Sequence, residues 1–202
     1  MRTITVISSV TLDGIIQGMG APQEDHSGGF RFGGWTRPYG DAVSAALVRE
    51  KLDQSSDYLL GRHTFEIWEP YWPHHADYWP NINTGQKYVL SNTRRQSDWA
   101  NTTFIRTVDD IRSLKASDGP TLQVWGSGKL VQLLLRHDLV DELHLQVFPL
   151  LLGQGKKLFD DQSSPTAFEL IDSQVTTTGV IASHYRRIGN VEANPEPAGK
   201  RR

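Results

Sequence analysis

Short β-rich apolar segments alternate along most of the chain with segments of helical periodicity. In the first of them, residues 3–10, apolar side chains fall on both sides of an extended chain, which is typical of a strand buried on both faces. Further strands are predicted at residues 57–61, 87–91, 102–106, 121–125 and 143–152. The short segment 57–61 (DYLLG) is predicted to be a buried strand.

Helices are predicted between several of these strands. Asp41 is suited to cap a helix whose apolar residues recur at helical spacing up to residue 53. Thr107 and Asp110 have the spacing of a capping box. The predicted helices cover residues 42–53, 62–68, 108–116 and 129–137. The alternation predicts an α/β domain with a mainly parallel sheet and an antiparallel edge.

The end of the chain has a different pattern. Residues 168–188 divide at Thr178 and Gly179 into two β-rich runs, which predicts a hairpin. No apolar periodicity continues from Gly189 onward, so residues 189–202 are expected to form a disordered tail. The sequence therefore predicts one domain at residues 1–188.

Two segments are predicted to be long loops. Residues 18–40 are rich in glycine and include two prolines, and residues 68–80 combine aromatic residues with proline and histidine. Long loops in a compact domain are often functional. The aromatic residues of the second loop could stack on a planar substrate, cover a subunit contact or serve ordinary packing.

The composition excludes several classes of protein. The 202 residues, 38% of them hydrophobic, suffice for one core, and a formal net charge of −2 disfavours nucleic-acid and anionic-membrane binding. The absence of cysteine excludes disulfides and thiolate chemistry. No segment resembles a signal peptide or a bilayer-spanning helix. We expect a cytoplasmic protein with a small-molecule substrate.

Two predicted strand-to-helix turns have the residues of an anion site. The first contains Gly61, Arg62 and Thr64, and the second contains Gly126, Ser127, Gly128 and Lys129. Glycines let a ligand approach the backbone, and the amides at a helix start attract anions. Two such turns suit a pyrophosphate-bearing cofactor, although each alone can be an ordinary tight turn.

Neither turn fits a standard nucleotide-binding template. A Walker loop needs a glycine where Gln123 stands and a serine or threonine where Leu130 stands. The dinucleotide fingerprint needs a third glycine where Val131 stands. The residues alone therefore leave the cofactor open.

A set of motifs resembles one family. Residues 60–66 (LGRHTFE) and 89–92 (VLSN) are similar to the cofactor-binding motifs of dihydrofolate reductases. Residues 11–14 (TLDG), 124–128 (VWGSG), 139–143 (LVDEL) and 152–155 (LGQG) resemble the reductase domain of the bifunctional riboflavin-biosynthesis deaminase-reductase. The resemblance spans residues 2–188. It implies a dihydrofolate reductase-like fold with helices on both sheet faces.

The resemblance also implies an NADPH-dependent oxidoreductase similar to 5-amino-6-(5-phosphoribosylamino)uracil reductase, acting on a small heterocyclic or carbonyl substrate. Arg62 and Thr64 would bind the adenosine-side phosphates. Gly126, Ser127, Gly128, Lys129 and Leu130 would hold the pyrophosphate, with Gly61 admitting the cofactor, and Ser91, Asn92 and Arg94 would recognise the 2′-phosphate of NADPH. The cofactor itself would carry the hydride.

The catalytic and substrate residues are less defined. Residues 42–46 (AVSAA) lack the carboxylate that dihydrofolate reductases present on this helix, which disfavours folate as the substrate. Asp13 is our candidate for substrate binding or proton relay, and its alternative role is to cap the turn before Gly14. Trp35, Asp41, Trp68 and Trp72 are the candidate substrate-binding residues.

Several alternatives remain at this stage. The same fold could serve as a non-catalytic nucleotide-binding or flavin-binding module. Adjacent His74 and His75 with Asp77 give no tetrahedral template, so we expect no metal site. Pro149 within an apolar run suggests an edge strand or bulge. From this edge and from the resemblance we expect a homodimer.

Overall fold

The computed structural model describes residues 1–191, which fold around one eight-stranded sheet. The strand order is β4-β3-β2-β5-β1-β6-β8-β7. The strands are β1 (Ile4–Thr11), β2 (Asp57–Gly61), β3 (Lys87–Leu90), β4 (Thr102–Ile105), β5 (Leu122–Trp125), β6 (Glu142–Phe148), β7 (Thr166–Val175) and β8 (Ile181–Asn190). The predicted strands are all present.

The sheet is parallel from β4 to β6 and antiparallel beyond it. β6 pairs in parallel with β1, and β8 pairs antiparallel with both β6 and β7. This is the dihydrofolate reductase-like arrangement expected from the sequence, with the hairpin at one edge. Since parallel strands end at the same side of a sheet, β2 and β5 deliver the turns that follow them to one place.

Two helices begin at the predicted capping residues, Asp41 and Thr107. Asp41 accepts a hydrogen bond from the Ser44 amide at 2.7 Å, and Thr107 accepts one from the Asp110 amide at 3.1 Å. The helices are α1 (Ala42–Asp53), α2 (Arg62–Trp68), α3 (Pro80–Thr84), α4 (Val108–Ala116) and α5 (Gly128–Arg136). The short α3 lies next to the predicted loop. No helix within residues 1–191 is long and apolar enough to cross a bilayer.

Two hydrophobic clusters cover opposite faces of the sheet. One contains Val6, Val124 and Leu145 from the strands and Val131 and Leu134 from α5. The other is largely aromatic and lies beneath α1 to α3. It contains Leu52, Tyr58, Leu60, Phe65, Trp79, Ile82, Val89 and Trp99. Most aromatic residues of this region therefore serve packing.

Two boundaries predicted from the sequence are wrong. β6 ends at Phe148, and Pro149 lies beyond it, because β6 is an interior strand between β1 and β8 where proline could not donate a ladder hydrogen bond. The edge that suggested a homodimer is therefore absent at Pro149. The hairpin also extends to Asn190, two residues into the predicted tail. The remaining predicted tail, residues 192–202, lies outside the described residues.

Lys87, at the start of β3, has a buried ammonium group. Its side chain is fully buried, and Nζ donates to the carbonyls of Ile82 and Gly85, each at 2.9 Å. The same Nζ lies 4.8 Å from the centre of the Trp99 ring. Burial lowers the pKa of Lys87 from 10.5 to about 8, although Asp57 acts in the opposite direction.

This pKa predicts a rise of stability with pH. Between pH 8 and 10 the unfolded chain keeps a proton on Lys87 that the native state releases. The contribution of this group to the free energy of unfolding is therefore present at high pH and lost as the pH falls toward 8. From pH 8 to 10, the wild type should gain about 2 kcal/mol of unfolding free energy over Lys87→Met. Urea unfolding of both proteins at pH 8, 9 and 10 measures this; a constant difference would contradict it.

Candidate functional site

A large cleft opens at the carboxyl ends of β2 and β5. Its volume is about 1740 Å³. Its walls come from residues 16–25, from α1 and α2, from α5, and from β1, β6, β8 and β7. In α/β sheets, ligands bind at this side of the strands.

Ser127 joins the two glycine turns. Its hydroxyl accepts a hydrogen bond from the Gly61 amide at 3.0 Å and donates to Thr64 Oγ1 at 2.6 Å. A Cβ on Gly61 would lie 2.9 Å from this hydroxyl. The close approach therefore requires glycine at position 61, and both predicted anion turns border one cleft.

The second turn has an unusual backbone. Gly126 and Ser127 both have left-handed dihedral angles, with φ of +60° and +61°. Ser127 precedes α5 but does not cap it, because its side chain is turned toward Gly61. The amides of Gly128 and Lys129 have no acceptor among residues 1–191. They remain available to an anion at the start of a nine-residue helix.

Cationic side chains surround this turn. Lys129 lines the cleft and has no ion-pair partner in the described chain, while Arg62 pairs with Glu66 at 2.9 Å on α2. On the opposite wall, Lys156 donates to Asp25. Hydrogen bonds from Lys156 and Ser27 outweigh burial and hold the pKa of Asp25 well below its usual range. The cleft thus offers cations for an anionic ligand.

The three residues expected at a 2′-phosphate lie just outside the cleft wall. Ser91 follows β3, and its hydroxyl accepts hydrogen bonds from the amides of Thr93 and Arg94 at 3.3 and 3.0 Å. Arg94 donates to Glu69 at 2.7 Å and lies 5.1 Å from the centre of the Phe65 ring. Asn92 is exposed beside them. The turn is ordered by its own hydrogen bonds.

Asp13 is placed where it closes a turn. Its carboxylate accepts hydrogen bonds from Thr11 and from the amides of Leu152 and Gly153, the last at 2.7 Å. These bonds outweigh partial burial and lower the pKa of Asp13, so it stays ionised at neutral pH. Asp13 does not line the cleft. The structure favours the turn-capping alternative over a proton relay.

Trp35 and Asp41 also lie away from the cleft, contrary to expectation. Trp35 is buried against Phe148, with ring centroids 5.1 Å apart, and its indole donates to the Gln17 carbonyl. The Asp41 carboxylate is occupied by the α1 cap and by Thr177, and these bonds lower its pKa. The indole N–H of Trp35 and both carboxylate oxygens of Asp41 are thus already hydrogen-bonded within the protein.

Trp68 and Trp72 do line the cleft. Their rings pack edge to face at 6.2 Å, and both contact Trp79, which is 1% exposed. The remaining aromatic surface forms an apolar part of the cleft wall. Such a wall suits a planar ring.

Sequence reasoning missed the polar floor of the cleft. Ser9, His144, Gln146, His184, Asp172 and Gln174 line it from β1, β6, β8 and β7. On β6 these residues alternate with buried Leu143 and Leu145. This alternation was a signal of a two-faced strand, but only the register shows that the polar positions of four strands share a face.

The family profile described as the RibD C-terminal domain matches residues 2–182. The chain belongs to this family. Members of this family typically bind a nicotinamide cofactor. The chain therefore belongs to the family, and has the fold, that the motifs suggested.

Relatives of this RibD C-terminal domain cover its length. It is 26% identical over 196 residues to the uncharacterized protein YyaP of Bacillus subtilis, covering 91% of this chain and 94% of YyaP. A crystal structure from Shewanella sp. PV-4, assigned to riboflavin biosynthesis, has a TM-score of 0.66 at 25% identity, covering 93% and 99% of the two chains. A pyrimidine reductase-like protein of Corynebacterium diphtheriae has a TM-score of 0.62 at 16% identity, covering 94% and 93%, and shows the shared fold.

The hydrogen bonds of the Ser127 hydroxyl with the Gly61 amide and Thr64, here called the Ser127 bridge, predict different effects for two substitutions. Ser127→Ala leaves the Gly61 amide without its acceptor and keeps the left-handed backbone, so we expect a loss of about 2 kcal/mol of unfolding free energy. Ser127→Gly loses the same bonds but removes a strain of about 1 kcal/mol, so it should be less destabilised. Urea denaturation compares them. Equal stability of the alanine and glycine variants would argue against the strained bridge.

Proposed function

We propose that the protein is an NADPH-dependent reductase that transfers a hydride to a small heterocyclic or carbonyl substrate. The main support for this proposal is the Ser127 bridge, which holds the turns after β2 and β5 at one cleft. Family membership and the reductase-like neighbours support the proposal. A pyrimidine related to riboflavin precursors is the substrate class that these relationships favour.

The residues at the bridge fit a pyrophosphate. The free amides of Gly128 and Lys129 and the positive end of α5 would face the phosphate oxygens, with the Lys129 ammonium adding a charge. The position of a Cβ on Gly126 meets no atom within 4 Å, so the backbone is open to a ligand there. Arg62 and Thr64 would bind the adenosine-side phosphates. When bound, the nicotinamide supplies the hydride.

The rest of the cleft suits the substrate. Trp68 and Trp72 would stack on a planar ring and exclude water from the reacting carbon. The polar floor would bind the substrate's exocyclic groups through Gln146 and Ser9. Asp25 anchors Lys156, and because its pKa is depressed it is not the proton donor.

Replacement of Gly126 by alanine tests the pyrophosphate site. A methyl group there enters the open space beside Lys129, so NADPH binding should weaken by at least about tenfold, equivalent to about 1.4 kcal/mol. The matched control is Gly153→Ala, because Gly153 also has a left-handed φ, of +73°, and open space around it but does not line the cleft. The measurement is quenching of tryptophan fluorescence by NADPH.

The control should bind NADPH within about twofold of the wild type, since the backbone strain is similar in both variants. Equal affinities of all three proteins would reject the pyrophosphate site. Saturable binding without NADPH oxidation across pyrimidine and carbonyl substrates, followed at 340 nm, would favour the non-catalytic alternative. A yellow chromophore bound to the purified protein would favour the flavin alternative.

We also propose that Ser91, Asn92 and Arg94 select NADPH over NADH. The Arg94 guanidinium donates to Glu69 through Nη2 and to the Gln96 carbonyl through Nε. Neither of these bonds uses Nη1, which can therefore donate to a phosphate oxygen. In Arg94→Ala the ratio of NADH to NADPH dissociation constants should fall by about tenfold. Arg112→Ala on α4, remote from the cleft, should keep the wild-type ratio. An unchanged ratio in Arg94→Ala would remove Arg94 from this role.

A further inference from the structure

Two histidines face each other at the floor of the cleft, away from the Ser127 bridge. His144 of β6 and His184 of β8 are direct partners in the antiparallel ladder. Their rings stack with centroids 3.9 Å apart and an interplanar angle of 19°. Both side chains line the cleft. The pair is thus fixed by two backbone strands rather than by a mobile loop.

A carboxylate completes the cluster. Glu142 lies two residues before His144 and on the same face of β6, since side chains alternate along a strand. Its Oε2 atom is 3.8 Å from Nε2 of His144 and 3.5 Å from Nε2 of His184. Its Oε1 atom lies 3.7 Å from Nε of Arg186. The two carboxylate oxygens therefore face different neighbours.

The imidazoles have no hydrogen bonds to satisfy them. His184 Nε2 is buried and makes no hydrogen bond within residues 1–191, although it lies 3.5 Å from Oε2 of Glu142. A buried polar atom without a partner is costly unless something binds it.

We propose that Glu142, His144 and His184 bind a divalent transition-metal cation of the zinc class. One ligand atom from each residue lies within 4.8 Å of the other two. The two distances to the carboxylate oxygen exceed the separation of about 3.3 Å between ligands of tetrahedral zinc by at most half an ångström. Three protein ligands leave a fourth coordination position for water or for an oxygen or nitrogen of a bound molecule.

The ligand set selects the type of metal. Arg186 lies beside Glu142, and Lys51 lines the same cleft and pairs with Glu50 at 2.8 Å, so their charges oppose any divalent cation. A hard cation such as Mg²⁺ has one carboxylate here to offset this repulsion. A borderline cation gains most of its affinity from the two imidazoles, so Zn²⁺ should bind and Mg²⁺ should not.

The experiment uses the full chain without an affinity tag and Zn²⁺ as the probe. Titration calorimetry should give one Zn²⁺ per chain, and Mg²⁺ should give no heat. His184→Gln should weaken Zn²⁺ binding by more than about tenfold, because even outer partners of metal ligands change affinity by about 10–100-fold. His75→Gln is the control, since His75 stacks on Tyr71 in the loop after α2 and should bind Zn²⁺ as the wild type does.

Two further measurements make the outcome decisive. Glu142→Gln tests the site through a second ligand if His184→Gln does not fold, which circular dichroism reports. Co²⁺ should show visible absorption bands that both ligand variants lose. Absence of Zn²⁺ binding by the wild type would overturn the proposal. Binding that survives His184→Gln but is lost in His75→Gln would also overturn it. Neither result bears on NADPH binding, which is measured separately.

Discussion

The hydroxyl of Ser127 is the constraint on which the cleft depends. It satisfies the Gly61 amide and contacts Thr64, and so ties the turn after β2 to the turn after β5. The contact is possible because β2 and β5 are neighbours in a parallel sheet and because position 61 has no Cβ. The cost is a non-glycine residue at a φ of +61°. In return, the first amides of α5 stay free instead of being capped by this side chain.

The two faces of the sheet explain why the cleft forms on one side. β1 and β6 place Val6, Val10 and Leu145 against α4 and α5, where the apolar cluster is closed. The opposite face carries Ser9, Gln146 and the paired histidines, and α1 covers only the neighbouring part of it. Polar side chains on this uncovered face keep access to solvent or ligand, so the sheet needs no further helix there.

Local signals in the sequence predicted the elements well and the site only in part. The capping residues Asp41 and Thr107, and the glycines at the two turns, act within a few residues of their own positions, so a single segment predicts them. Asp13, Trp35 and the β6 boundary depend on the partners Gly153, Phe148 and β8, which are distant in the sequence. The histidine pair was missed for the same reason, since His184 meets His144 only through the strand register.

The separation of charge along the cleft follows from these placements. Lys129 and the free amides of α5 lie beside the bridge, where a pyrophosphate would sit, and Trp68, Trp72 and the polar floor line other parts of the same cleft. Residues 42–46 at the start of α1 carry no carboxylate. The polar groups that a substrate can meet on the floor come instead from the strands, with the imidazoles of His144 on β6 and His184 on β8 beside Gln146.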